Sequence, residues 1–133
     1  MNNALNLIGR LLLAALFLPA GLSKLSGFEG TVGYITSVGL PLPAVAAAAA
    51  LVVEILGSVA LVVGFQTRIV AAVLAVFTLV ASVFFHAFWA AAPEQAFVQQ
   101  LLFFKNIGVI GGLLVLVSSG AGALSLDAKN EPQ

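Results

Sequence analysis

Four apolar runs, each about 20 residues long and each crossed by no more than one Lys, Arg, Asp or Glu, leave this sequence few ways to fold. They cover residues 5–23, 44–64, 69–89 and 97–118. At a rise of about 1.5 Å per residue, about 20 apolar residues are what a helix needs to cross the hydrocarbon of a bilayer. A water-facing surface cannot be built from what is left. Only 8% of the 133 residues are charged, against roughly 25% in soluble domains. The 62% apolar share is about 82 residues, enough for four spans. We read a four-helix transmembrane bundle in a single domain, residues 1–133, with a polar tail over 119–133. In the first run the charge, Arg10, lies inside the apolar stretch and three more runs follow, which fits a span better than a cleaved signal peptide.

The same scarcity excludes whole classes of function. A formal charge of zero provides no basic field for nucleic acid. Without cysteine there is no thiolate metal site, iron–sulfur cluster, disulfide or covalently attached haem. One histidine and only the first-residue methionine leave no axial pair for a six-coordinate haem. We therefore expect no metal and no intrinsic cofactor, so that any redox chemistry would come with a partner subunit or a diffusible molecule.

Between the first two runs, Phe28, Val32, Ile35 and Val38 or Gly39 recur at helical spacing. They predict a short interfacial amphipathic helix, ended by Gly39, Pro41 and Pro43. Residues 65–68 read as a tight loop and 90–95 as the next connection. With the N-terminus inside, the cytoplasmic side holds Arg10, Arg68 and Lys129 against Lys24 outside and Lys105 buried in the fourth span, three against one or two, so both termini are expected in the cytoplasm.

The informative residues are the ionisable ones within the spans, each of which costs about 2.5–3.5 kcal/mol at a helix centre. Stepping along ideal helices puts Glu54 near mid-membrane, Arg10 about 6 Å to one side and Lys105 about 4–5 Å to the other. Either cation could partner the carboxylate, and Arg10, Glu54 and Lys105 form the expected buried charge network. Arg10, Phe17, Gly21 and Lys24 share one helix face; Ala75, Thr78, Ser82 and His86 share another. On the fourth span Lys105, Gly108 and Gly112 fall together, which predicts a lysine pointing into the bundle and a close helix approach. Gly21, Gly57, Gly108 and Gly112 are the expected packing glycines. One reading makes the charges a device that fixes helix register. A second makes Lys24, His86, Lys105 and Asn106 the lining of an outward pocket for a quinone or a small oxyanion, with His86 as hydrogen-bond partner. A third is a permease relay in a homo-oligomer.

The order of these elements resembles one family. An early arginine in GRLLLAALF, Gly21 and Lys24 in GLSK, Glu54 in VEILG, Gly64, Thr67 and Arg68 in GFQTR, His86 in FFHAFW, Lys105 and Asn106 in FFKNIG, and Ser125 and Asp127 in SLD follow the pattern of the DoxX family of small four-helix bacterial membrane proteins, including its YphA-like inner-membrane group. The resemblance covers nearly the whole chain. It implies a multi-pass protein of the bacterial inner membrane. Relatives in quinol oxidase and thiosulfate:quinone oxidoreductase assemblies, and one in an oxidative-stress assembly, imply an accessory or quinone-interacting part of a membrane redox complex. A non-catalytic scaffold or stress protein, or a permease, are the other roles such a chain could fill.

Overall fold

A computed structural model describes residues 2–131, and these are helices joined by short loops, with no strand among them. The helices are α1 (Asn3–Ser26), α2 (Phe28–Ser37), α3 (Pro43–Val63), α4 (Thr67–Phe85), α5 (Pro93–Ser119) and α6 (Leu126–Asn130), with a 3₁₀ turn at Phe88–Ala90. α1, α3, α4 and α5 are long and apolar enough to cross a membrane. Local chemistry sets their ends. The Asn2 side chain caps α1 by accepting from the amides of Ala4 and Leu5 at 2.9 and 3.1 Å. Pro43 and Pro93 open α3 and α5, where a missing N–H costs nothing.

Three boundaries differ from the sequence expectation. α4 stops at Phe85, so His86 lies just past the helix end and not on it. α5 begins at Pro93, because a proline at the first turn lets the helix start within the presumed connection. The tail is not a loose extension: residues 120–130 fold back as a loop and α6 against the loop between α3 and α4, with the Asp127 amide donating to Gly64 O at 2.9 Å.

α1 packs on α3, α3 on α4 and α4 on α5, whereas α1 and α5 scarcely touch. Ala14, Phe17, Leu61, Ala71, Leu74 and Leu113 make the core. Between helices in lipid there is little hydrophobic drive, so close contact depends on small residues. Gly21 supplies one such contact, since a Cβ there would come within 2.7 Å of Ile55. Gly57 supplies another, where a Cβ would meet Leu74 at 3.1 Å. Gly108 and Gly112 do not: Gly108 has nothing within 4 Å and a Cβ on Gly112 would reach only Leu13, at 3.8 Å. The buried residues of α5 are Asn106, Leu113 and Leu116, and Lys105 is turned about 100° from Asn106.

α1 and α3 are out of step. Gly21 lies level with Glu54 and Ile55, so α1 runs only about 7 Å past that level while α3 continues about 16 Å to Pro43. α2 occupies the step, with Ile35 buried and most of its packing on α3.

The opposite end, which carries both termini, is closed by charge. Arg10, fully buried, donates to Leu61 O (2.8 Å), Val62 O (3.2 Å), Leu124 O (2.5 Å) and Asn6 Oδ1 (3.0 Å). Arg68 donates to Val117 O and Ser118 O at 2.7 and 2.6 Å. Each arginine thus meets the free carbonyls and negative dipole at a helix C-terminus. Asp127 does the converse, accepting from the amides of Gln66 (2.7 Å) and Thr67 (2.9 Å) at the start of α4. Gly64, at φ 71°, makes the turn; a side chain there would collide with Ser125 and Arg10. Burial opposes the charge of Asp127, but the Thr67 and Gln66 amides and the Arg10 charge outweigh it and hold the carboxyl below its ordinary value. The folded state therefore takes up this proton less readily than the unfolded chain. The stabilisation is complete above the unfolded pKa, about 3.9, and is lost as pH falls through the depressed folded value. Asp127→Asn is expected to cost about 1 kcal/mol at neutral pH, the usual worth of such a cap. Thermal melts in detergent should show the gap between the two proteins closing on acidification; a constant gap would refute the assignment.

Candidate functional site

At the α2 end, the step between α1 and α3 leaves a cavity of about 500 Å³. Its walls come from α1, α3, α4 and α5, with α2 and Leu40 across the top. Most of the lining is apolar, including Leu16, Phe17, Val53 and Phe77, and a few polar groups converge on it. That composition is typical of small-molecule sites, as is the size.

The first polar group is an ion pair. Lys24 Nζ lies 2.9 and 3.0 Å from the two carboxylate oxygens of Glu54 and also donates to Ala20 O at 3.4 Å. Glu54 is 4% exposed, so its charge needs that partner. The pairing corrects the expected network: Glu54 joins neither Arg10 nor Lys105. Arg10 lies at the far end of α3, about 10 Å of helix rise from Glu54, on backbone carbonyls. Lys105 is exposed, borders the cavity and makes no hydrogen bond or ion pair among the described residues.

On the other wall the polar groups form a chain. Asn106 Nδ2 donates to Ser82 Oγ at 3.0 Å, Ser82 Oγ to Thr78 O at 2.6 Å, and Thr78 Oγ1 to Leu74 O at 2.7 Å. These bonds satisfy both hydroxyls and leave Asn106 Oδ1 uncommitted. His86 Nδ1 faces Gln99 Oε1 at 2.8 Å. An amide oxygen can only accept, so in the neutral ring Nδ1 carries the hydrogen and Nε2 keeps a lone pair. Tyr34 secures the roof: its hydroxyl donates to Phe85 O at 3.3 Å and its ring sits 4.9 Å from that of Phe85. Beside the site Phe88, Trp89, Phe103 and Phe104 interlock at centroid distances of 5.2–5.8 Å and tie the 3₁₀ turn to α5. Among the described residues no three His, Asp or Glu side chains come close enough to share a metal ion.

The structure thus brings Lys24, His86, Lys105 and Asn106 to one cavity together with Glu54, and leaves Arg10 outside it. Sequence reasoning missed Gln99 and Tyr34. Gln99 had a signal, a polar residue within an apolar run; Tyr34 had none beyond its position on the short helix.

Comparison with known proteins gives a consistent picture. The family model described as DoxX matches residues 5–87. Inner membrane protein YphA of Escherichia coli (strain K12) is 36% identical over 123 residues, 92% of this chain and 88% of that protein. Inner membrane protein YqjF of the same organism is 37% identical over 124 residues, 91% of this chain and 88% of that protein. A Surfeit locus protein 4 homolog of Schizosaccharomyces pombe is 35% identical over 72 residues, 53% of this chain but only 24% of that protein. No solved structure matches.

Proposed function

The chain belongs to the DoxX family, and from that premise we propose that it serves as a quinone-interacting accessory component of a membrane redox assembly, with the cavity as the head-group site. The supporting observation is the cavity itself: an apolar chamber lined also by the Lys24–Glu54 pair, Asn106 and His86. A quinone supplies a two-electron, two-proton couple when bound. What the chain contributes is placement. Lys24, an ammonium held by Glu54, can exchange its long 3.4 Å bond to Ala20 O for one to a quinone carbonyl oxygen. His86 Nε2 can accept a hydroxyl proton, with Gln99 keeping the ring in the required tautomer. The apolar walls take the hydrocarbon tail and exclude water. We further propose that both termini are cytoplasmic, from the Arg10, Arg68 and Lys129 bias, so that the cavity faces the outer half of the membrane.

Purified protein in detergent is expected to bind a short-tailed quinone saturably, read by quenching of Trp89 fluorescence. His86→Ala should weaken binding about tenfold, the worth of one hydrogen bond of about 1.4 kcal/mol, without shifting the melting temperature. If the wild-type protein shows no saturable quenching while Glu54→Gln lowers thermal stability, the ion pair is a register device and the redox reading fails.

A further inference from the structure

Lys105 is the one cation on the cavity wall that nothing in the chain neutralises among the described residues. It stands 12 residues from Pro93 and 14 from Ser119, about 18 and 21 Å from the two ends of α5. That central place on the helix puts it within the apolar part of the span. α1, α4 and α5 bring no acid to its level: α1 and α4 contain no Asp or Glu, and Glu94 lies about 16 Å away along α5. α3 offers only Glu54, whose two oxygens are both held by Lys24, and Glu29 of α2 is exposed and does not line the cavity. Since Lys24 and Glu54 cancel, the cavity as a whole carries one net positive charge, and it sits on Lys105. A lone ammonium within a span is costly, and an anion sharing the cavity with it would offset that cost.

We propose that the cavity takes an amphiphile with a negatively charged head group and a single hydrocarbon chain, with Lys105 as counter-ion to the head. The inference rests on the cavity being a ligand site, the premise of the reading above, and not on the ligand being a quinone. The head sits where Lys105 and Asn106 border the cavity, the chain along Leu16, Phe17, Val53 and Phe77. The volume of about 500 Å³ falls in the range of small-molecule sites, about 300–1,000 Å³.

The test compares two probes of equal chain length, a fluorescent fatty acid and the corresponding fatty alcohol, on purified protein in a neutral detergent at pH 8. The wild type should bind the acid at least tenfold more tightly than the alcohol. Lys105→Gln should abolish that preference and Lys105→Arg should keep it, both without loss of melting temperature because the side chain makes no hydrogen bond or ion pair for the substitution to break. Lys129→Gln, which removes a cation remote from the cavity, should leave it intact. Equal binding of acid and alcohol, no binding of either, or a preference that survives Lys105→Gln would overturn the proposal. Quinone binding without acid preference leaves the redox reading standing and removes this one. Acid preference without quinone binding does the reverse.

Discussion

Replacing Arg10 with methionine is expected to lower the thermal midpoint in detergent by about 10 °C or more, a larger loss than any other single substitution considered for this chain. Methionine fills similar space but donates nothing, so Leu61 O, Val62 O, Leu124 O and Asn6 Oδ1 all lose a charged donor in a site with no exposure. Hydrogen bonds to a charged group are worth about 1.5–3 kcal/mol each, and groups left unsatisfied in the interior cost about 1–3 kcal/mol each. Even with partial relaxation the sum exceeds about 4 kcal/mol, the range reserved for broken buried networks. At about 3 °C per kcal/mol for a chain of this size, that becomes the stated shift. Arg10→Lys should recover less than half, because one ammonium cannot span carbonyls on two separate chain segments. The measurement is a detergent melt of the three proteins side by side; a methionine variant within about 3 °C of wild type would remove Arg10 from its place as the clasp.

The second large effect concerns the Lys24–Glu54 pair. Removing one member of a buried pair costs about 3–5 kcal/mol, because the survivor is left uncompensated, whereas replacing both by apolar residues of similar size is often neutral. Lys24 is about one-fifth exposed, so the loss of Glu54's partner sits at the lower end of that range. Lys24→Met is therefore expected to destabilise by about 3 kcal/mol and Lys24→Met with Glu54→Leu by less than either single change. A double-mutant cycle on unfolding midpoints reads this directly. Additive losses would mean that the 2.9 Å contact carries no coupling. The cycle also separates stability from function: a double variant that folds well yet no longer binds quinone assigns the pair to the ligand.

How much of this was legible in the sequence follows from what each inference depended on. The four spans were readable because length and apolarity determine a membrane helix almost alone, and the inward faces of α1 and α4 followed from phase, with Arg10, Phe17 and Gly21, then Thr78 and Ser82, all buried. Depth was not readable. Stepping along ideal helices left Arg10 within about 6 Å of the level of Glu54 and Lys24 outside. In the structure Gly21 stands opposite Glu54, which moves Lys24 into range and Arg10 out of it. Periodicity carries rotation about a helix axis but no information on its slide. The same limit explains α5. Gly108 and Gly112 have the spacing of a packing motif, but α5 presents Asn106, Leu113 and Leu116 to its neighbours, and a spacing cannot say which face a neighbour takes. Of the site, Lys24, His86, Lys105 and Asn106 were identifiable because polarity is rare in an apolar run; Gln99 and Tyr34 depend on tertiary placement.

The clasp at the terminal end also bears on how the bundle comes together. Arg10 belongs to the first helix to be made, yet one of its acceptors, Leu124 O, lies 114 residues further along the chain. Its acceptors Leu61 and Val62 arrive with the second long helix. During synthesis the first span must therefore hold a guanidinium with only Asn6 Oδ1 beside it, its carbonyl acceptors arriving in two instalments, the first half-way and the second near the end. Pairing of α1 with α3 can proceed early, but the bundle is locked only when residues 120–130 return to Arg10, Arg68's helix and the start of α4. A chain cut before Leu124 would keep all four spans and still lack the contact that fastens them.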